Sequence, residues 1–430
     1  MLTLGVLINK LLRAGGNPVL VGGSIRDRFL GKSSEDFDIE VYALSYETVL
    51  SVLRDIGPVC CVGKQFGVFK IYNFDISLPR IEKKDGEGYK GFRVSHRLDM
   101  DYFTASLRRD FTINSMGLNL KDGMFLDPHM GKNDIRKKHI RHVSLRFCED
   151  PLRVLRACRF SSVLNFKIHY KTVLECKKLQ GELMFLPKER IGTEFCKMLM
   201  GMKPSLGFKF LVRTFSICLF PELCVLVFRF KTEAWDVVLN ILDLLSRQNA
   251  SLNLRLAALC EVLSLDFIFR LNLKNISIEN LINIRCFFSE QFLHRINKSY
   301  EAIGNILSLL YCLGLIKLSN GKHGYYKFIY HLALIVCIED LCVLKNIFFS
   351  LDKAINYYIQ ELICQTQILL VSKRPLKPLL KGEHFILNGF LPGPEIGKLI
   401  KNAYEAQMLG KFWTLSDALR WIKKTLKAIK

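Results

Sequence analysis

The chain has no C-x-x-C spacing, and of its 14 cysteines only Cys60 and Cys61 are close neighbours. That excludes the common zinc modules and gives no sign of a disulfide framework. Reduced thiols serving as small hydrophobes in a cytoplasmic protein are expected instead. Long apolar runs are missing too. The most apolar stretch, Phe328 to Leu344, carries His331, Glu339 and Asp340 and suits a buried helix better than a membrane span. The first residues, MLTLGVLINKLLRAGG, lack a basic leader and a small-residue cleavage site, and read as an amphipathic helix rather than a signal peptide. Acidic residues are scarce: 40 Asp and Glu face 62 Lys and Arg, a formal charge of +22. An excess this large points to a polyanionic partner, nucleic acid ahead of a membrane surface. No internal repeat and no obligate protein partner is evident. Half of the 430 residues are hydrophobic, which excludes a disordered chain. The length allows roughly two to four structural units.

The most informative stretch is Val19 to Tyr42, VLVGGSIRDRFLGKSSEDFDIEVY. It reads as strand, glycine turn, short helix, loop and strand. Ser24 is expected to cap the helix and Gly31 to end it. Alternate side chains of a strand share a face, so Asp36 and Asp38 stand together while Phe37 and Ile39 pack behind them. Two adjacent carboxylates repel unless a cation sits between them. Hard oxygen ligands favour Mg²⁺, which commonly joins protein carboxylates to substrate phosphates. Gly22 and Gly23 let backbone approach a triphosphate, and the helix that follows favours anions.

Two later motifs have the same character. In Arg108-Arg109-Asp110-Phe111-Thr112-Ile113-Asn114-Ser115, a helix would place Asp110 and Asn114 one turn apart on one face. That pair can hold ribose hydroxyls, and the two arginines supply forks for phosphates. In Glu149-Asp150-Pro151-Leu152-Arg153, Asp150 can cap a helix with Pro151 at its first position. Arg153, Arg156 and Arg159 then recur every third residue beside an apolar stripe of Leu152, Leu155 and Phe160.

GGSIRD followed by DFDIEVY resembles the head of the class II tRNA nucleotidyltransferase and bacterial poly(A) polymerase family, within the polymerase-β-like superfamily. The Arg-Arg-Asp run, with Ser115 where the family has alanine, and the Glu-Asp-x-x-Arg run fit the same family. The resemblance implies an α+β chain. A nucleotidyltransferase head with a mixed sheet and helices (1–143) would precede an all-helical neck carrying a base template (144–205), a body (206–373) and an RNA-binding tail (374–430). It adds Asp75 as a third acid beside Asp36 and Asp38, a catalytic and metal-binding set for two Mg²⁺ ions. Gly22, Gly23, Arg26, Asp27, Arg108, Arg109, Asp110, Asn114, Asp150, Arg153, Arg156 and Arg159 would bind the nucleotide.

Asp150 and Arg153 would read the base. Cytosine and adenine each present an amino donor beside a ring acceptor, which a carboxylate and a guanidinium satisfy; guanine and uracil present the opposite sense. The substrates implied are CTP, ATP and the 3′ end of the tRNA acceptor arm. CCA addition is the first reading. CC-only or A-only addition and poly(A) synthesis are alternatives, and a non-catalytic RNA-binding relative is a remote one. The absence of a His-Asp dipeptide argues against the phosphohydrolase module of some relatives. Gly86, Gly88 and Gly91 mark Glu82 to Asp99 as a mobile loop, and Asp127-Pro128, Gly131, Asp134 and Arg141 read as architecture. Arg190 and Glu194, at i,i+4, are expected to pair with each other. The tail resembles the family at Leu391 to Lys398 and at Ala418 to Lys424. Lys423, Lys424, Lys427 and Lys430 would give it a basic face.

Overall fold

A computed structural model describes residues 4–33, 36–62, 67–84, 92–229, 233–270, 278–299, 301–308, 337, 340, 343–344, 374–390 and 392–429. Outside the described residues lie the centre of the glycine-bearing segment (85–91), Leu391, Lys430 and most of residues 309–373 of the expected body, with nearly all of the apolar stretch 328–344. No helix among the described residues is long and apolar enough to cross a membrane. The chain is α+β, with a mixed sheet first and helices after it. It divides into two compact units, Met1–Leu252 with Arg295–Asn297, and Asn253–His294 with Lys298–Lys430.

The first unit begins with helix α1 (Leu4–Arg13), strand β1 (Asn17–Val21), helix α2 (Gly23–Phe29), strand β2 (Phe37–Tyr42) and helix α3 (Tyr46–Arg54). Strands β3 (Cys60–Val62), β4 (Val68–Ile71) and β5 (Phe74–Ser77) follow. With β8 (Gly117–Asn119) and β9 (Phe125–Leu126) they make a seven-stranded sheet in the order β3-β4-β5-β2-β1-β8-β9. β2 lies at its centre, antiparallel to β1 and parallel to β5. Its alternation is physical: Ile39 and Val41 are fully buried on one face, Asp38 and Glu40 stand on the other. Phe37 stacks on Phe74 with ring centroids 5.7 Å apart.

Two local expectations change. Ser24 lies inside α2 and its hydroxyl donates back to the Val21 carbonyl; the residue before the helix is Gly22, at φ 81°. That left-handed turn suits glycine. Glu82 to Asp99 is not simply a loop. Strands β6 (Arg80–Lys84) and β7 (Phe92–His96) pair antiparallel as a two-stranded ribbon. The glycines and charged residues between the strands hid it, and the alternation of Phe92 and Val94 in β7 was the signal passed over.

Helix α4 (Tyr102–Ser106), helix α5 (Gly131–Arg136) and strand β10 (His139–Ile140) close the head. Here the D-P…G…D…R run is structural. Asp127 accepts from the backbone of Gly131 and Lys132, and Asp134 takes both Thr112 and Arg141. Helix α6 (Leu152–Leu164) then runs under the head, followed by strand β11 (Lys167–Ile168) and helices α7 (Tyr170–Lys178), α8 (Lys188–Leu199) and α9 (Pro204–Arg213). α6 packs against α8 and α9. Phe111 joins head to neck: it is fully buried, with the rings of Phe147 and Phe160 at 5.7 and 5.6 Å.

In the second unit, helices Gly382–Ile386, Pro394–Met408 and Leu415–Ile429 close around Leu380, Phe385, Ala403, Phe412 and Ile422. Lys423 and Lys424 are exposed on the last of these. The described cysteines are free thiols; Cys158, Cys176 and Cys260 are buried as expected, whereas Cys60, Cys61 and Cys218 are exposed.

Phe111→Ala is expected to cost about 3–5 kcal/mol, as large-to-small changes in a packed aromatic core do. Phe185→Ala, at a side chain 78% exposed, should stay within about 0.5 kcal/mol. Urea unfolding of both variants measures the contrast.

Candidate active site

Strand β2 supplies the acids. Asp36 lies just before it, and Asp38 stands opposite Val21 of β1 and opposite Asp75 of the parallel strand β5. The glycine turn approaches this point closely: a Cβ on Gly22 would sit 3.0 Å from Asp38 Oδ2. The cleft walls desolvate Asp38 and raise its pKa. Arg109 opposes that rise, while the carboxylates of Asp75 and Asp36 add to it. Asp75 is half-exposed and ion-paired to Lys70 at 2.8 Å. Among the described residues no group of three or more His, Cys, Asp or Glu side chains is arranged to hold a metal ion.

Beside Asp38 opens a cleft of about 810 Å³. Of the sequence-derived nucleotide residues, Gly22, Gly23, Arg26, Arg108, Arg109, Asp110, Asn114, Asp150, Arg153, Arg156 and Arg159 line it; Asp27, Asp36 and Asp75 do not. Arg80, Arg190 and Lys197 also line it, so eight arginines and one lysine share the walls with three aspartates.

A continuous polar chain crosses this cleft from α2 to α6. Arg26 donates to both oxygens of Asp27 at 2.9 Å and to Asn114 Oδ1 at 2.8 Å. Asn114 Nδ2 donates to Asp110 Oδ1 at 3.1 Å, and Arg156 Nε donates to Asp110 Oδ2 at 2.7 Å. Asp110 and Asn114 therefore meet, but not on an α-helix. The segment is a turn and a short 3₁₀ stretch, Thr112–Asn114, held open by the backbone N–H of Phe111 bonding to Asp110. Burial alone would raise the Asp110 pKa; Arg156 and Asn114 outweigh it and hold the carboxyl below the usual range.

The arginines expected to face phosphate or base are held by the protein. Arg108 Nη2 donates to Glu40 Oε1 at 2.6 Å and Arg109 Nη2 to Oε2 at 3.4 Å. Arg153 donates to the carbonyls of Arg146 and Arg108, at 2.7 and 2.6 Å. Asp150 Oδ1 caps α6 at Leu152 N, and its Oδ2 takes Arg190 at 2.9 Å. The i,i+4 pair expected within α8 does not form, because Glu194 pairs instead with Arg159 at 3.1 Å. Arg26, Arg156 and Arg159 also crowd one ring, with guanidinium carbons 5.2, 5.7 and 4.3 Å from the centroid of Phe160.

Sequence reasoning missed Glu40, Lys197 and the role of Phe160. Glu40 had a signal. It stands two residues beyond Asp38, so strand alternation places it on the acid face. Burial would raise its pKa, but Arg108, Arg109 and the Tyr42 hydroxyl hold it low.

Glu40 and Asp110 therefore bind protons less readily folded than unfolded. Their contribution to stability is complete above about pH 4 to 5 and is lost as pH falls through the lower folded values. Asp110→Asn should flatten the acid limb of a plot of Tm against pH. An unchanged slope would contradict the assignment.

Residues 19–141 match the family described as "Poly A polymerase head domain", and residues 165–225 the one described as "Probable RNA and SrmB- binding site of polymerase A". A Multifunctional CCA protein of Methylococcus capsulatus is 37% identical over 216 residues, 47% of this chain and 48% of that protein. A CCA-adding enzyme of Actinobacillus succinogenes is 35% identical over 243 residues, 55% of this chain and 59% of that one. The chain thus spans about half the length of the curated relatives it matches. Among solved structures, the CCA-adding enzyme of Bacillus stearothermophilus in complex with CTP has a TM-score of 0.65 at 19% identity, covering 98% of this chain and 96% of that one. A tRNA nucleotidyltransferase complexed with a primer tRNA and an incoming ATP analog has 0.59 at 21%, covering 84% and 99%. These two likenesses show the fold. The first half of the chain is thus similar to poly(A) polymerase heads and to CCA-adding enzymes, and the chain shares the fold of the latter.

Proposed function

We propose that the protein is a cytoplasmic CCA-adding tRNA nucleotidyltransferase, joining C and A residues from CTP and ATP to the tRNA 3′ end without a nucleic-acid template. The observation that carries this reading is that the acid-bearing strand, the Asp110–Asn114 pair and the Asp150–Arg153 turn border a single cationic cleft. The names of the curated relatives favour CCA addition over poly(A) synthesis.

The backbone of Gly22 and Gly23, with Arg26, Arg108 and Arg109, would take the triphosphate. Asp110 and Asn114 would hold the ribose. Asp150 and Arg153 would admit cytosine and adenine. Guanine or uracil would meet donor against donor and acceptor against acceptor, at about 1–3 kcal/mol for each unpaired group. The tail and the basic surface of the neck would follow the RNA backbone, so binding should weaken as salt rises.

Asp36 and Asp38 would hold Mg²⁺ as two carboxylates at the start of one strand. Burial raises the Asp38 pKa and the carboxylates of Asp75 and Asp36 add to it, a crowding that a cation would relieve, and phosphate oxygens commonly complete such a shell. Asp75 would act from the adjoining strand, through its charge. Bound there, two divalent ions would activate the RNA 3′-hydroxyl and neutralise the departing pyrophosphate.

The test offers tRNA ending before CCA, at CC, or complete, with CTP and ATP singly and together. Completion of CCA followed by arrest supports the reading. Stopping after two C residues, adding A alone, or extending generic RNA without limit would replace it with the CC-adding, A-adding or poly(A) alternative. Asp38→Ala should leave tRNA binding near wild type and lower incorporation by more than about a hundredfold, the loss that removing preorganised charge stabilisation brings. Turnover close to wild type would remove the metal assignment.

A further inference from the structure

Glu40 does not line the cleft, yet it controls two side chains that do. It is fully buried in the middle of β2. Its two oxygens receive Arg108 and Arg109, and the Tyr42 hydroxyl donates to Oε2 at 2.7 Å, which fixes the rotation of the carboxylate. The Nε atoms of both arginines are buried and donate to no group among the described residues. The direction of each guanidinium is thus set through Nη2 by one carboxylate. One anion also leaves two cations only half neutralised, so positive charge remains on the cleft side.

Stability alone is a weak reason for this arrangement. A buried ion pair seldom outperforms well-packed apolar residues of similar volume. Rigid guanidiniums aimed in advance, by contrast, spare the ligand the cost of ordering them. We infer that Glu40 is a positioning residue, which aims Arg108 and Arg109 at the phosphates of the incoming nucleotide. This rests on the nucleotidyl-transfer reading of the same cleft. Shortening Glu40 by one methylene keeps its charge but withdraws the carboxylate from both Nη2 atoms.

The experiment compares wild type, Glu40→Asp and Glu40→Gln. It reads KM and kcat for CTP and ATP, binding of inorganic tripolyphosphate by calorimetry without RNA, and thermal unfolding. For Glu40→Asp, the KM values for both nucleotides and the Kd for tripolyphosphate should rise together by about tenfold or more, the scale of a lost charge-assisted bond. kcat at saturating nucleotide should stay within about threefold of wild type. Glu40→Gln should show the larger loss in the same quantities wherever it folds. A Glu40→Asp protein that unfolds at a lower temperature but keeps wild-type KM and tripolyphosphate affinity would overturn the inference. Should wild type fail to extend tRNA, the reading of the cleft falls, and the tripolyphosphate comparison still decides whether Glu40 orients phosphate-binding arginines.

Discussion

Charge confinement governs this site. Eight arginines and a lysine converge on a space of about 810 Å³ that three aspartates share. Desolvating so many cations would be prohibitive if they faced one another alone. The fold answers with carboxylates placed behind or between them: Glu40 for Arg108 and Arg109, Asp110 for Arg156, Glu194 for Arg159 and Asp150 for Arg190. Cations still outnumber anions, so the cleft is short of negative charge, which the triphosphate and RNA end proposed above would supply. The shape is already set when such a ligand arrives, because most of the guanidiniums have a fixed partner.

Where those groups come from explains the architecture. A strand with alternating faces puts Ile39 and Val41 in the core and Asp38 and Glu40 at the site, so one element both stabilises the head and arms it. The tight turn at Gly22 brings backbone within van der Waals reach of Asp38, which a side chain at that position would obstruct. From below, α6 presents an arginine at every third residue, and Phe111 packs the head onto that helix through Phe147 and Phe160. Residues far apart in sequence thus meet because two packed layers share a border.

Much of this was legible in the sequence because the signals are local. The strand–turn–helix–strand of Val19 to Tyr42 follows from periodicity and glycine, and it places Asp36 and Asp38 without any long-range knowledge. The pairings were not legible. Arg190 and Glu194 suit each other by helix spacing, yet each finds a better-placed partner on another segment, Asp150 and Arg159. Asp110 and Asn114 do meet, through a turn rather than a helix, because the same contact can close over four residues in either conformation. Glu40 went unnoticed because a carboxylate in a central strand reads as an interruption of the core until its two arginines, nearly seventy residues away, are known. The β6–β7 ribbon was hidden differently, because glycines and charges between its strands outweighed the short alternation of Phe92 and Val94.

Base selection by protein atoms is the claim on which the account turns, and a crystal structure with CTP and Mg²⁺ bound tests it most directly. The cytosine edge should lie within hydrogen-bonding distance of Asp150 and Arg153, with the triphosphate against Arg108 and Arg109 and an ion beside Asp36 and Asp38. A cytosine seated out of reach of both Asp150 and Arg153 would contradict it.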